Sequence, residues 1–248
     1  MIIIKSAKEI ELMRRAGRIV AQVLQNISEA IRPGITTAQL DNLARRFIKS
    51  QHAKPAFLDY HGFPASICTS VNEEVVHGIP SLRRLAEGDI VSVDVGASYK
   101  GYFGDAACTF PVGKISPLAQ KLIDVTKGSL LRGIKEAIPG KRLYDISSAI
   151  QTFVERQGFS VVRNYVGHGI GTSMHEEPQV PNFGTPGKGP LLQEGMVLAI
   201  EPMVNVGSWE VKTLKDQWTV VTKDGSLSAH FEHSVAILKD GPEILTTL

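Results

Sequence analysis

The chain has 248 residues, with 27 basic and 25 acidic side chains and a net charge of +2. So even a balance excludes the electrostatic footprint of a nucleic-acid or anionic-membrane binder. The opening Met1-Ile-Ile-Ile-Lys5-Ser6 is too short for a signal peptide, and no apolar run approaches the roughly 18 residues that cross a bilayer.

A chain this long can bury roughly 70–75% of its unfolded surface and needs no covalent staples. Its two cysteines, Cys68 and Cys108, have no metal-like spacing and read as free thiols of a reducing compartment. A cytoplasmic protein is the expectation.

Ser6-Ala-Lys-Glu9 has the form of a capping box and opens a first helix. Ile10, Met13, Val20, Val23, Leu24, Ile27 and Ile31 recur at helical spacing until Pro33-Gly34 stops it. A second helix starts near Thr37, with Leu40, Leu43, Ala44, Phe47 and Ile48 as its stripe. Residues 54–79 read as loops with one short strand near Ile67–Val71. Two strands follow, Ile90–Ala97 and Gly101–Phe110, joined by a short hairpin connection. Ser116-Pro117 opens a third helix with Pro at its first position, and Pro139-Gly140 closes it. A fourth runs from Tyr144 to Gln157. Strands are expected near Ser160–Val166, Met196–Val204, Thr219–Thr222 and Ala229–Leu238.

This order repeats. Ala30-Ile-Arg-Pro33-Gly34 returns as Ala137-Ile-Pro139-Gly140, and Gly88-Asp-Ile-Val-Ser-Val-Asp94 returns as Gly195-Met-Val-Leu-Ala-Ile-Glu201. Both matches fall at nearly one offset, and no Pro/Gly/Ser-rich linker intervenes. The expectation is one α+β domain, residues 1–248, of two packed halves, roughly 1–113 and 114–248. The acids of both halves face a shared centre.

Asp is a poor strand residue, yet Asp94 lies between Val93 and Val95. With Tyr99 and Lys100 as the loop, Asp94 would face Asp105 directly, Cβ atoms roughly 4.5–5.5 Å apart. Two carboxylates that close repel unless a proton or cation lies between them. Exposed surface acids and a metal site both remain open for this pair alone. The second half adds Glu201, ending an apolar strand before Pro202, and Glu232, in mid-strand on the face opposite Phe231, His233, Val235 and Ile237. Between them, Gly167-His168-Gly-Ile-Gly-Thr-Ser-Met-His175 is too glycine-rich for a helix and places two histidines on a turn. Asp94, Asp105, His168, Glu201 and Glu232 hold too many acids for one ion and suit two divalent ions roughly 3.5–4 Å apart. Mn, Fe, Co or Zn fits this shell better than Ca, for which His is a poor ligand.

The motifs Val-Asn72-Glu-Glu-Val-Val-His77-Gly-Ile-Pro, Val-Asp94-Val-Gly, Gly104-Asp105, Gly-His168-Gly-Ile-Gly, His175-Glu-Glu-Pro-Gln, Ala-Ile-Glu201-Pro-Met and His-Phe-Glu232-His resemble those of the type I methionine aminopeptidases. The resemblance runs from about residue 4 to residue 245. It implies the pita-bread fold, two pseudo-symmetric halves with antiparallel sheet flanked by helices. It also implies hydrolytic removal of the initiator Met from nascent proteins, with a small second residue preferred. The expectation is a chain that starts directly at the catalytic domain, without the zinc-binding extension of the longer eukaryotic form. Residues 176–200 leave no room for the helical insertion of type II enzymes, so the short bacterial form is the nearest match.

By this resemblance Asp94 would chelate one ion, Asp105 and Glu232 would bridge both, and His168 and Glu201 would hold the other. Glu201 would also be the general base, His175 would stabilise the oxyanion, and His77 would contact the scissile amide. On spacing alone His77 reads as a loop histidine beside Gly78. His230, on the face of Glu232, would support a ligand rather than be one, while His61 and His233 read as structural. The resemblance further implies a Met side-chain pocket of Tyr60, His61, Phe63, Cys68, Met174 and Trp218; Phe57 and Met174 stand where relatives often carry Cys and Phe. The expected partners are N-terminal Met residues of nascent chains and the ribosome, with the protein a monomer and neither nucleic acid nor membrane required. Rival readings are an X-Pro peptidase, a non-catalytic binding module of the same fold, and a calcium-stabilised structural protein.

Overall fold

The computed structural model describes residues 1–248. Its first part contains α1 (Ala7–Ala30), α2 (Thr37–Ser50), β1 (Lys54–Pro55), a 3-10 turn at Tyr60–Gly62, β2 (Cys68–Val71), β3 (Glu74–Val76), β4 (Ile90–Tyr99) and β5 (Tyr102–Pro111). There follow α3 (Pro117–Lys135), α4 (Leu143–Arg156), β6 (Ser160–Val161), β7 (Gly167–Gly169), β8 (Glu176–Val180), β9 (Val197–Ile200) and β10 (Met203–Asn205). The chain finishes with β11 (Val211–Thr213), β12 (Val220–Thr222), β13 (Ser228–His230), β14 (His233–Leu238) and β15 (Gly241–Ile244).

The helices begin where the sequence says they should. Ser6 and Glu9 form the reciprocal capping box of α1, and Ser116 caps α3 ahead of Pro117. Thr36 and Gln39 make a second box at α2 that the sequence reading passed over. α3 ends at Lys135, short of Pro139-Gly140, which instead turns the chain toward α4. Each helix pair buries its apolar stripe on its own sheet. Val20, Val23, Leu40, Ala44 and Ile48 pack on Val91, Val93 and Val95, and Leu122, Leu130, Ile146 and Ile150 pack on Leu198, Ile200 and Val235. At about 1.5–3 kcal/mol for each fully buried Leu, Ile or Val side chain, these two cores hold helices outside and sheets inside.

The two parts repeat in their hydrogen bonds as well as their sequence. Thr37 N–H donates to the Arg83 carbonyl as Leu143 N–H does to that of Pro190. Gly34 to Leu85 has its counterpart in Gly140 to Leu192. Thr36 bridges Arg84 as Arg142 bridges Leu191. The molecule is an α+β fold of two pseudo-symmetric halves. Its sheets run β1-β4-β2 with β5 on the other edge of β4, and β15-β14-β9-β7-β8; two three-stranded sheets, β13-β10-β6 and β11-β12-β3, complete it.

Three expectations are corrected. The hairpin turns on Lys100 and Gly101, not on Tyr99 and Lys100, because both loop positions of a two-residue turn of this kind need positive φ (here 50° and 85°), and Tyr99 is spared it. Tyr99 therefore pairs with Tyr102, Asp94 with Ala107, and Asp105 with Gly96. The aspartates are diagonal neighbours rather than opposed. A shift of two residues keeps both on one face. The expected strands Met196–Val204 and Ala229–Leu238 are each broken, at Glu201-Pro202 and at Phe231-Glu232. Glu232 is thus not in mid-strand. Finally, His168 lies on β7, at a bulge in its pairing with β8, rather than on a turn; His175 does lie in a turn, just before β8.

α1 crosses β5 in close contact. A Cβ at Gly104 would fall 2.7 Å from the Gly17 nitrogen. Gly104→Ala should therefore overpack this crossing and destabilise the fold by about 1–3 kcal/mol, roughly 2–4 °C of melting temperature per kcal/mol for a chain of this size. Thermal unfolding followed by circular dichroism would measure it.

Candidate metal centre

The acids of the second half sit where a ladder opens. His233 pairs with Ile200 at the end of the β9–β14 ladder, and Glu201 and Glu232 are the residues immediately beyond it on either side. Asp94 closes the β2–β4 pairing, opposite Cys68. These ends, the diagonal Asp105 and the bulge at His168 converge on one cavity of about 270 Å³. It is lined by Phe57, Tyr60, His61, Phe63, Cys68, His77, Asp94, Asp105, His168, His175, Glu201, Trp218 and Glu232.

Met174 is the one candidate that does not line the cavity. It is buried behind the wall among Ala56, Phe57, Phe63 and Cys68. Phe57 lines the cavity, and the sequence marked it only as a departure from relatives.

The polar end of the cavity has no Lys or Arg. Asp105 and Glu232 are 3% and 2% exposed. Asp94 Oδ1, Asp105 Oδ1 and Glu232 Oε1 are buried without a hydrogen-bond partner. Four crowded carboxylates of this kind cannot all carry their charge without a cation. Burial pushes Asp94 up to about 7, tempered by its hydrogen bond with Asp105. Burial, then the charges of Glu232 and Asp94, hold Asp105 well above the ordinary carboxylate range. Glu201 is raised by burial and then by Asp94 and Asp105, and Glu232 by burial and then by Glu201 and Asp94.

The histidines are driven the other way. Burial, then His175, brings His168 down to about 3, and burial and His77 do the same to His230. Burial and His175 lower His77 to about 4, and His175 is lowered by burial and His61. A neutral His168 gives its Nδ1 proton to the Gly169 carbonyl (2.9 Å), which leaves the Nε2 lone pair aimed at Glu201 (3.6 Å) and Asp105 (3.8 Å). That is the tautomer a metal ligand requires. One ligand atom each from Asp105, His168 and Glu232 lies within 4.8 Å of the others. The residues therefore fit a cation. His230 stands behind them, its unpartnered Nε2 3.7 Å from Glu201.

The other end is aromatic. Phe63 and Trp218 meet edge to face at 5.1 Å, and the His77 ring stands edge to face with Tyr165 and Trp218. His77 adopts positive φ (59°), as do Asp59 and His61; such backbone strain is typical of functional sites. His175 sits 4.3 Å from His168, ring to ring, and its Nδ1 is 2.7 Å from the Tyr60 hydroxyl. The His175 turn is fastened from afar by a buried ion pair between Lys5 and Glu176 (2.7 Å). Sequence reasoning missed this contact and the amide of Asn182, which holds the Glu201 carbonyl (3.0 Å). Glu176 lies in the His175-Glu-Glu-Pro-Gln motif, but nothing there points to Lys5, and Asn182 stands in no motif.

The metal-free protein should lose stability as pH rises from about 4 toward 7. Folded Asp94 keeps its proton up to about 7, while in the unfolded chain it ionises near 3.8, so the unfolded state is favoured by deprotonation across that window. Mn(II) should raise the melting temperature of chelator-treated protein, and more at pH 7.5 than at pH 5.5, because the metal displaces those protons. A melting temperature indifferent to Mn(II) at pH 7.5 would count against the centre.

The comparisons with known proteins agree with this geometry. The family model described as metallopeptidase family M24 matches residues 11–239. A methionine aminopeptidase of Clostridium acetobutylicum is 62% identical over 247 residues, 99% of either chain. The crystal structure of the methionine aminopeptidase of Thermotoga maritima superposes with a TM-score of 0.99 at 50% identity, covering 100% of both chains. An Xaa-Pro dipeptidase of Bacillus anthracis shares the fold, with a TM-score of 0.79 at 23% identity, but this chain covers only 62% of it. The pita-bread architecture expected from the sequence is the architecture observed. Matched by the family model along most of its length, and by so similar a relative from end to end, the chain belongs to metallopeptidase family M24, on its methionine aminopeptidase branch.

Proposed function

We propose that the chain is a dinuclear-metal aminopeptidase that removes the N-terminal methionine from nascent proteins and peptides, preferring a small second residue. One observation carries this reading. A single cavity joins an aromatic and thiol-lined wall to four carboxylates, three of which, Asp94, Asp105 and Glu232, have a buried oxygen without a partner. Asp94, Asp105, His168, Glu201 and Glu232 would hold two divalent ions, since four acids exceed the charge of one; Mn, Fe, Co or Zn suits this oxygen-rich, one-imidazole set. When bound, the ions would supply Lewis acidity and a nucleophile usable near neutral pH.

The chain's own residues supply the rest. Phe57, Tyr60, Phe63, Cys68 and Trp218, with His61 at the edge and Met174 behind, take up the thioether, which aromatic rings and sulfur favour. Glu201 takes a proton from the attacking water at a carboxylate oxygen and returns it to the leaving nitrogen. Neutral His175, its Nδ1 accepting from Tyr60, carries its proton on Nε2 and donates toward the developing oxyanion. His77, on its positive-φ turn, contacts the scissile amide.

We read residues 1–248 as one catalytic domain whose halves meet near residue 113, acting as a monomer in the cytoplasm. No helix is long and apolar enough to cross a membrane.

The purified protein should release Met from Met-Ala-Ser, fail on Ala-Pro, lose turnover on exhaustive chelation and regain it with Mn(II) or Co(II). Preferred cleavage of Ala-Pro would favour the X-Pro reading instead. Asp105→Asn and Glu232→Gln should each lower bound metal, measured by elemental analysis of the purified variants. Glu201→Gln should reduce kcat about 10²–10⁴-fold with KM little changed, in steady-state assays with bound metal quantified in the same sample. A loss smaller than about threefold with both metals retained would remove Glu201 from the base role.

A further inference from the structure

The two halves meet along β5 on one side and β13–β14 on the other, yet no ladder pairs these strands. At the centre of the seam the Glu232 N–H donates to the Ala107 carbonyl (2.9 Å). Two residues to either side, a hydroxyl takes over. Ser234 on β14 accepts from the Asp105 N–H (3.0 Å) and donates to the Asp105 carbonyl (2.9 Å). Thr109 on β5 accepts from the His230 N–H (2.9 Å) and donates to the His230 carbonyl (2.8 Å). With its proton so committed, Thr109 accepts from Ser92 (2.8 Å). The arrangement is reciprocal: each half extends one hydroxyl that grips both backbone groups of one residue in the other. Thr109 and Ser234 are 2% and 1% exposed, so water does not compete.

A hydroxyl inserted in this way bridges backbone groups that do not meet directly, and on either side of the Glu232–Ala107 bond it fixes how far apart the two strands stand. The residues gripped are Asp105 and His230, and Glu232 lies between the grips. We propose that Thr109 and Ser234 are positioning residues: by setting the width of the seam they set the separation of Asp105 from Glu232, and so the affinity for the metal pair. The inference rests on the reading of Asp105 and Glu232 as ligands given above.

The test is Mn(II) binding to the full-length, chelator-treated protein, by calorimetry and by the electron paramagnetic resonance of free Mn(II). Thr109→Val and Ser234→Ala keep the shape and remove the hydroxyl. Each should weaken Mn(II) binding about 10–100-fold, the usual cost of losing an outer support of a metal site. Thr109→Ser and Ser234→Thr, which retain the hydroxyl, should restore most of it. Ile146→Val, in the buried core of the second half, serves as a destabilised control whose Mn(II) affinity should not move. Unchanged affinity in Thr109→Val and Ser234→Ala would overturn the proposal, and so would a loss matched by Ile146→Val at equal loss of melting temperature. Should Thr109→Val fail to fold, Ser92→Ala, which removes one partner of Thr109, carries the test with a several-fold weakening expected. A wild-type protein that binds no Mn(II) would instead bring down the metal reading itself, and this proposal with it.

Discussion

Four carboxylates held together out of water are the constraint on which the rest of this structure depends. Left to themselves Asp94, Asp105, Glu201 and Glu232 repel one another and resist burial. A fold that gathers them must supply enough apolar packing to offset the cost, and must leave their oxygens free of competing donors. Two separate cores, each a pair of helices on a sheet, provide the packing. The exclusion of Lys and Arg from the cavity lining leaves the charge to be answered by something other than the chain. The buried histidines are part of the same design, since a low pKa keeps their lone pairs available.

Duplication makes this gathering economical in sequence. Each half presents an acid at the point where a strand pairing ends, Asp94 opposite Cys68 and Glu201 just past Ile200. At such a point the backbone is still held by the strand behind it while the side chain reaches an open centre. Neither half has a complete set. Along β5 and β13–β14 the two are joined through a seam of hydroxyl grips and one backbone bond, and elsewhere by the β3–β12 ladder, so the separation of Asp105 from Glu232 is set between halves rather than within one.

Much of this was legible in the sequence, for physical reasons. Caps and apolar stripes are local, so Ser6, Glu9, Ser116 and Pro117 announced their helices. Asp94 between two valines contradicted strand propensity, and that contradiction pointed to the site. The hairpin register was not legible, because it turned on whether Tyr99 or Gly101 would take positive φ. The strand end at Glu201 was marked by Pro202, but the break at Phe231-Glu232 has no Gly or Pro to announce it. Thr109 and Ser234 were invisible for the opposite reason. Thr and Ser in strands are ordinary, and nothing local shows that a hydroxyl faces another strand more than a hundred positions away. The Lys5–Glu176 pair is of the same kind. Motif resemblance supplied His77 and His175, whose spacing alone said little.

The seam also bears on the order in which the protein is made. Synthesis delivers α1, α2 and the Asp94–Asp105 hairpin first, and these can pack on their own core. Glu232, Ser234 and Thr246, whose hydroxyl holds His233 and the Ser234 N–H, emerge almost last. Until they do, the aspartates have no facing wall, and on the ligand set proposed above a divalent ion reaching them would meet only part of its coordination. Ion capture would then mark the closing of the whole chain rather than the folding of either half. A polypeptide that stalls short of its final strands is left without the chemistry as well as without the fold.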